Sequence, residues 1–328
     1  MLLQKTESGY ENMAVSNYPE MTQFVQELDI DKSSITVSYL AYGDASKATT
    51  IQVPLMPDTE KLESIDITLH SSPTSAFVMP AEYSAWFSSC FGYGVELVHL
   101  STHRRRVMFK DMQQQPREQG SRLIRLMQIC IPFASSLLPS ITTNASSPWK
   151  ITFADCAPYL ICSQTSLENV SSRLPDGMHM DVTKFRPNIV VKGAFEPFEE
   201  DYWGALVVNG KTEITLAHNC IRCKSINVDY QTGRPGEGPG GQVLKKLQKD
   251  RRIDAGARWS PVFGRYGFCG KGVGGGRGVG KEEEDGEEVW RVGDRVNVVK
   301  INDRLTVFSK WDGSGERERE RERLRWGE

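Results

Sequence analysis

The run His218-Asn219-Cys220-Ile221-Arg222-Cys223 places two thiols three residues apart, with a cation beside the second. Thiols at this spacing serve zinc ligation, a dithiol redox couple or thiolate ligation of another soft metal, and the bland alternative is a pair of inert buried thiols. Zinc takes four ligands, commonly from two such pairs. No second C-x-x-C occurs in the sequence, although His218 could be a third ligand. A thioredoxin-like couple belongs at a helix N-terminus after a strand, whereas the patterns on both sides of this run are strand-like. Arg222 favours a thiolate at Cys223, because a neighbouring cation lowers a thiol pKa. Arg222 thus raises the reading of Cys223 as a thiolate ligand for a soft metal centre modestly, and the zinc, dithiol and inert-thiol readings stay open at this point.

The flanking elements must present that thiol. Ala205 to Val208, then Asn209-Gly210, then Glu213 to Leu216 predict a hairpin with a two-residue type I′ turn, since Asn-Gly supplies the positive φ such a turn needs. Apolar alternation resumes at Ile226-Asn227-Val228, so the His218 to Cys223 run is expected as a loop joining two strands at the rim of a sheet or barrel. Upstream, Thr165 and Glu168 fit a capping box and put Leu167, Val170 and Leu174 on one helical face. In the first half, Met1 to Lys5 reads as strand, and Ile35 to Leu40 with Thr50 to Val53 reads as a hairpin. Ile65 to Leu69 and Val95 to Val98 are further strands, with a short helix between Pro80 and Gly92. The triplet Arg104-Arg105-Arg106 is expected in a solvated surface loop, with a phosphate patch as the sharper alternative. An amphipathic stretch at Leu123, Leu126, Met127 and Cys130 marks an inter-domain crossing.

At 328 residues the chain is long enough for two domains, since single cores rarely grow beyond about 250 residues. A net charge of -2 argues against a nucleic-acid partner, which would call for a basic stripe. Seven cysteines, an odd number without regular spacing, point to a reducing compartment, cytoplasmic or mitochondrial. The sequons at Asn144 and Asn169 are then chance matches. The most apolar stretch, Ile129 to Leu138, is far short of the roughly 20 residues of a membrane helix, so no membrane segment is expected, and the N-terminus has no leader pattern. Residues 270–288, rich in glycine and then acidic, read as a disordered insertion, with no Gly-Lys-Ser/Thr ending to cradle phosphate. A strand pattern returns over Trp290 to Val299, and residues 309–328 form a Glu/Arg tail without core-forming content.

Four motifs in order resemble the MOSC domain: Phe185-Arg186-Pro187-Asn188-Ile189-Val190-Val191, Asn219 to Cys223, Val228-Asp229 with Thr232-Gly233, and Pro261-Val262-Phe263-Gly264. The resemblance is to the C-terminal domain of molybdenum-cofactor sulfurases and to amidoxime-reducing components. It implies a mainly β fold with α (α+β): a MOSC β-barrel over 116–308, interrupted by the insertion, preceded by a partial MOSC N-terminal β-barrel-like domain over 1–115. It implies a molybdenum cofactor (molybdopterin) whose metal is ligated by Cys223. By the same resemblance Arg186 contacts the cofactor's phosphate or pterin, Asn188 bonds the pterin edge, and Asp155 and Arg222 complete the cofactor-binding set. Relatives often carry Ser or Thr where Cys156 and Ala157 stand here. A strand and a Lys-Ser segment of the family's preceding domain are expected ahead of Met1, so that this wall of the cofactor site is missing from the sequence.

The activity implied is reduction of N-hydroxylated small molecules, with electrons delivered by a flavin reductase and haem electron carriers, because the chain has no dinucleotide fingerprint. A second reading is a sulfur-carrier or cofactor-sulfuration module acting with a pyridoxal-phosphate partner, a cofactor for which this chain has no room of its own. A third is a non-catalytic remnant.

Overall fold

A computed structural model describes residues 1–107, 109, 150–269 and 289–308. The Leu123 to Cys130 stretch, the 270–288 insertion and the 309–328 tail lie outside the described residues.

The N-terminal half runs β1 (Leu2–Thr6), β2 (Gly9–Asn12), β3 (Phe24–Asp29), β4 (Ser34–Tyr39), β5 (Thr49–Pro54), β6 (Ser64–Leu69), β7 (Ser72–Val78), α1 (Ala81–Phe91) and β8 (Val95–His99). Its strands form a five-stranded sheet, β2-β1-β8-β7-β6, and a three-stranded sheet, β3-β4-β5. The predicted hairpin is β4 and β5, paired from Ser34↔Pro54 to Tyr39↔Thr49. Helix α1 starts after Pro80 and stops at Gly92, whose φ of 81° only glycine adopts without strain. Phe24, Val37, Phe87 and Val95 make the core between α1 and the strands.

The second half adds β9 (Arg105–Arg106), β10 (Lys150–Ile151), β11 (Tyr159–Ser163), α2 (Gln164–Ser171), β12 (Ile189–Val191), β13 (Trp203–Val208) and β14 (Thr212–Ile221). The chain continues through β15 (Val228–Asp229), β16 (Arg234–Pro235), α3 (Val243–Gln248), β17 (Val262–Cys269) and β18 (Val296–Ile301). Six of these strands form one sheet in the order β12-β11-β17-β14-β13-β18, in which only β11–β12 is parallel. With one nearly closed, barrel-like sheet and one half-barrel, the architecture is the mainly β, α+β barrel expected. No helix among the described residues is long and apolar enough to cross a membrane.

Four local expectations are corrected. The Asn209-Gly210 turn is present, at φ 50° and 70°, but Val208 pairs with Thr212, so three residues rather than two separate the paired positions. Ser163, not Thr165, caps α2 by accepting the Ser166 N–H, and Leu174 joins the core from beyond the helix end. The His218 to Cys223 run is not a loop, because β14 continues through Ile221. It does so on two compensating bulges against β17: one extra residue on β14 between Leu216 and Asn219, then one on β17 between Arg265 and Val262. Gly264 occupies the second bulge at φ 78°, where a Cβ would meet the Ile161 carbonyl at 2.7 Å. Finally, Arg105 is not solvated: it is 1% exposed and donates to the carbonyls of Leu69, Thr152, Ala154 and Asp155. Four backbone acceptors far off in sequence offset the cost of burying a guanidinium, which the triplet alone does not reveal.

Candidate metal and cofactor site

The end of β14 separates the two thiols. Cys220 points into a core of Val107, Phe109, Leu160 and Tyr266, and burial pushes its thiol pKa up. Cys223 lies past the strand end, half-buried, its Sγ 3.2 Å from Ser225 Oγ. Both are free thiols, so the pair forms no disulfide. His218 is 1% exposed and packs on the rings of Phe109, at 4.3 Å, and Phe308. Among the described residues no three His, Cys, Asp or Glu side chains gather as a metal site, so the zinc reading gains no support from them.

Arg222 is buried between two elements. Its Nε donates to Phe263 O at 2.9 Å and its Nη1 to Phe185 O at 2.8 Å, and its guanidinium lies over both rings, which stack on each other at 3.9 Å. Its Nη2 is buried with no hydrogen-bond partner among the described residues. A native interior rarely leaves a guanidinium nitrogen orphaned, so this atom asks for an acceptor from a bound group.

Phe185 ends a 3-10 turn over Val182–Phe185, and Arg186 follows in the left-handed region at φ 56°. That conformation is strained for an arginine and common at functional sites. It turns the exposed Arg186 guanidinium to Asp155, with Nη1 3.7 Å from Oδ2. Asn188 exchanges two hydrogen bonds with Leu160, its N–H donating to the carbonyl and its Oδ1 accepting the N–H, each at 2.8 Å. The residue thus extends the parallel β11–β12 ladder, and its side-chain NH2 remains for another acceptor.

The structure therefore joins Asp155 to Arg186 and Arg222 to the carbonyl just before Arg186, while Cys223 follows Arg222 in the chain and contacts Ser225. Sequence reasoning missed three residues here. Tyr230 is half-buried, and burial raises its pKa; Arg186 and Arg222 pull it down while Asp181 and Cys223 push it up. His70 sits with Nε2 3.4 Å from Asp155 Oδ1, and Arg105 bonds the Asp155 backbone. Tyr230 follows the quoted Val228-Asp229 motif and was open to notice. His70 carried no signal.

Opposed effects act on Asp155. Desolvation pushes its carboxyl up, but the His70 hydrogen bond and the charges of Arg186, His70 and Arg222 outweigh it and hold the pKa at about 2, below the usual 3.8. A carboxyl lowered on folding contributes stability that is fully present above its unfolded value and is lost as pH falls through the folded one. With the side chain 47% exposed, screening reduces the contribution to on the order of 1 kcal/mol. Urea unfolding of wild type and Asp155→Asn is expected to differ by about that amount near pH 6 and to converge as pH falls through about 2. A gap that stays constant with pH would mean that the charge is not its source.

The residues fit a molybdopterin group. A half-buried thiol suits a soft metal, and the orphaned Arg222 Nη2, the Arg186 fork and the free Asn188 amide suit the acceptors of an anionic pterin phosphate.

Comparison with known protein families matches residues 148–301 to the MOSC domain. The mitochondrial amidoxime reducing component 2 of Macaca fascicularis is 35% identical over 134 residues, which cover 40% of this chain and 37% of that protein. The human mitochondrial amidoxime-reducing component 1 is 35% identical over 121 residues, 36% of this chain and 34% of that protein. The molybdenum cofactor sulfurase of Oryza sativa subsp. japonica is 32% identical over 106 residues, 30% of this chain and 12% of that protein. The matches thus span well under half the length of these relatives. Together with the barrel and the four motifs, they make residues 148–301 of this chain a MOSC domain.

Proposed function

We propose that this chain is a molybdenum-cofactor-dependent oxidoreductase that reduces N-hydroxylated small molecules, with Cys223 as the metal ligand. The observation that carries it is the split of the thiol pair: one cysteine is sealed in the core and the other half-exposed, beside a buried arginine with an unsatisfied nitrogen. The names of the amidoxime-reducing relatives support the substrate class. In this reading residues 1–115 are a partial N-terminal barrel-like domain, and 116–308 the MOSC unit that binds the cofactor.

When bound, the cofactor supplies a metal that accepts electrons and passes them to an N–O bond. The chain's own residues hold and orient it. Cys223 provides the thiolate; Arg222 Nη2 and the Arg186 guanidinium neutralise the anionic part; Asn188 donates its amide; Asp155 keeps Arg186 aligned. Electrons come from a flavin reductase through a haem carrier, partners that a mitochondrial location would provide.

The test is to express the chain in a host that makes molybdopterin, then measure bound molybdenum and the reduction of an amidoxime by an artificial electron donor. Metal and turnover are expected together. Metal without turnover would favour the sulfur-carrier reading, to which the sulfurase match lends weight, and no metal would favour the remnant.

A further inference from the structure

His70 reaches the site from the N-terminal sheet. It stands at the tip of the β6–β7 hairpin, where Leu69 pairs with Ser72 and only His70 and Ser71 make the turn. Both are left-handed, at φ 52° and 66°, in a turn without glycine. Such strain persists where the surroundings over-determine it. Here buried Arg105 bonds Leu69 O at 2.9 Å on one side and the carbonyls of Thr152, Ala154 and Asp155 on the other, and Ser72 Oγ donates to Arg106 O at 2.9 Å. One guanidinium thus ties the residue before His70 to the backbone of Asp155.

The result is a relay of three side chains: His70 Nε2 at 3.4 Å from Asp155 Oδ1, and Asp155 Oδ2 at 3.7 Å from Arg186 Nη1. The imidazole Nδ1 has no hydrogen-bond partner among the described residues, and the side chain is 41% exposed. A histidine held by a carboxylate at one nitrogen and open at the other is built to give a proton from the open side. Three of the other four histidines are otherwise engaged: His99 Nδ1 accepts the Ser101 N–H, His103 stacks on Phe77, and His218 packs on Phe109. The charged and titratable groups around the pair are Arg105 from β9, Cys156 beside Asp155, Arg186 before β12, Cys220 on β14, Arg222 after it and Tyr266 on β17.

We propose that His70 is the proton donor of this site, passing from Nδ1 the proton that converts a departing hydroxyl into water, with Asp155 supporting the imidazolium. This rests on the N–O reductase reading. The substrate N–O bond breaks; two electrons enter from the haem carrier by way of the bound cofactor. One proton goes from His70 to oxygen and a second from solvent to nitrogen, giving the reduced nitrogen compound and water, and solvent reprotonates His70.

The experiment compares the wild-type chain with His70→Ala and His70→Gln, loaded with molybdopterin and supplied with an amidoxime and an artificial reductant. Both variants are expected to keep wild-type molybdenum and KM while kcat falls about 100-fold. Free imidazole should restore the alanine variant, whose vacated position opens to solvent, and not the glutamine variant, whose side chain fills it. A second readout needs no cofactor: carboxyl 13C NMR of the metal-free chain should follow Asp155 titrating near 2 in the wild type and distinctly higher in His70→Ala. Wild-type kcat in either variant, a loss in His70→Ala that imidazole does not restore, or an Asp155 titration equal in wild type and His70→Ala would overturn the proposal. A metal-loaded wild type that reduces no N–O compound sinks the reductase reading and the donor role with it, whereas an unchanged Asp155 titration sinks the donor role and leaves the reductase reading standing.

Discussion

Cys223→Ser is expected to leave the chain folded and almost bare of molybdenum. The substitution is nearly isosteric, and a serine hydroxyl can keep the 3.2 Å contact with Ser225 Oγ at the start of the turn that follows. What changes is the donor: a soft sulfur becomes a hard oxygen. Bound metal should therefore fall from near one per chain to below about a tenth, with little change in unfolding midpoint. Cys220→Ser gives the opposite pattern. That thiol lies among Val107, Phe109 and Tyr266, so a hydroxyl there costs on the order of 1 kcal/mol of stability and leaves the metal in place. Equal metal in wild type and Cys223→Ser would remove the ligand from the account.

The contrast between the two cysteines was only half legible in the sequence. The C-x-x-C spacing marked the right stretch, and strand alternation with the Asn-Gly turn placed the β13–β14 hairpin that leads to it. Nothing local said that β14 would run on through His218 and Asn219, polar residues that read as loop. Those positions stay in the strand because Arg265, 46 residues beyond Asn219, reaches back to bond Asn219 Oδ1 and the carbonyls of Leu216 and Ala217 that the bulge sets free. Arg105 was misread for the same reason, since its acceptors at Leu69 and Thr152 to Asp155 lie 36 to 50 residues away. Periodicity reports which face of an element is buried; it does not report which distant carbonyls will satisfy a buried cation. The His70-Ser71 turn escaped because it lacks the glycine or asparagine that announces a left-handed pair.

The strand extension that delivers Arg222 and Cys223 packs beside a buried charge cluster, and Asp201→Asn is expected to destabilise the protein by about 3–5 kcal/mol. Asp201 is 2% exposed, its Oδ2 2.6 Å from Arg251 Nη2 and its carbonyl bonded by Arg265 Nη1. Burial pushes the Asp201 carboxyl up to about 6 against the pull of Arg251 and Arg265, and Arg265 down to about 10, so the carboxylate charge by itself costs the native state and the loss expected on substitution comes from stranding Arg251. Charges in so dry a site are tolerated only together. Asparagine keeps the shape and removes the charge, which leaves Arg251 buried and uncompensated between Phe198, 3.7 Å below its guanidinium, and the Val262 carbonyl. Urea unfolding should show a lower midpoint at unchanged slope. Arg251→Met in the same chain should recover much of the loss, because a buried ion pair replaced by apolar groups of similar volume is often no less stable than the pair itself. If Asp201→Asn stayed within about 1 kcal/mol of wild type, or the double variant were as unstable as the single one, the bulge would be held by the Asn219 and backbone bonds of Arg265 without help from the carboxylate.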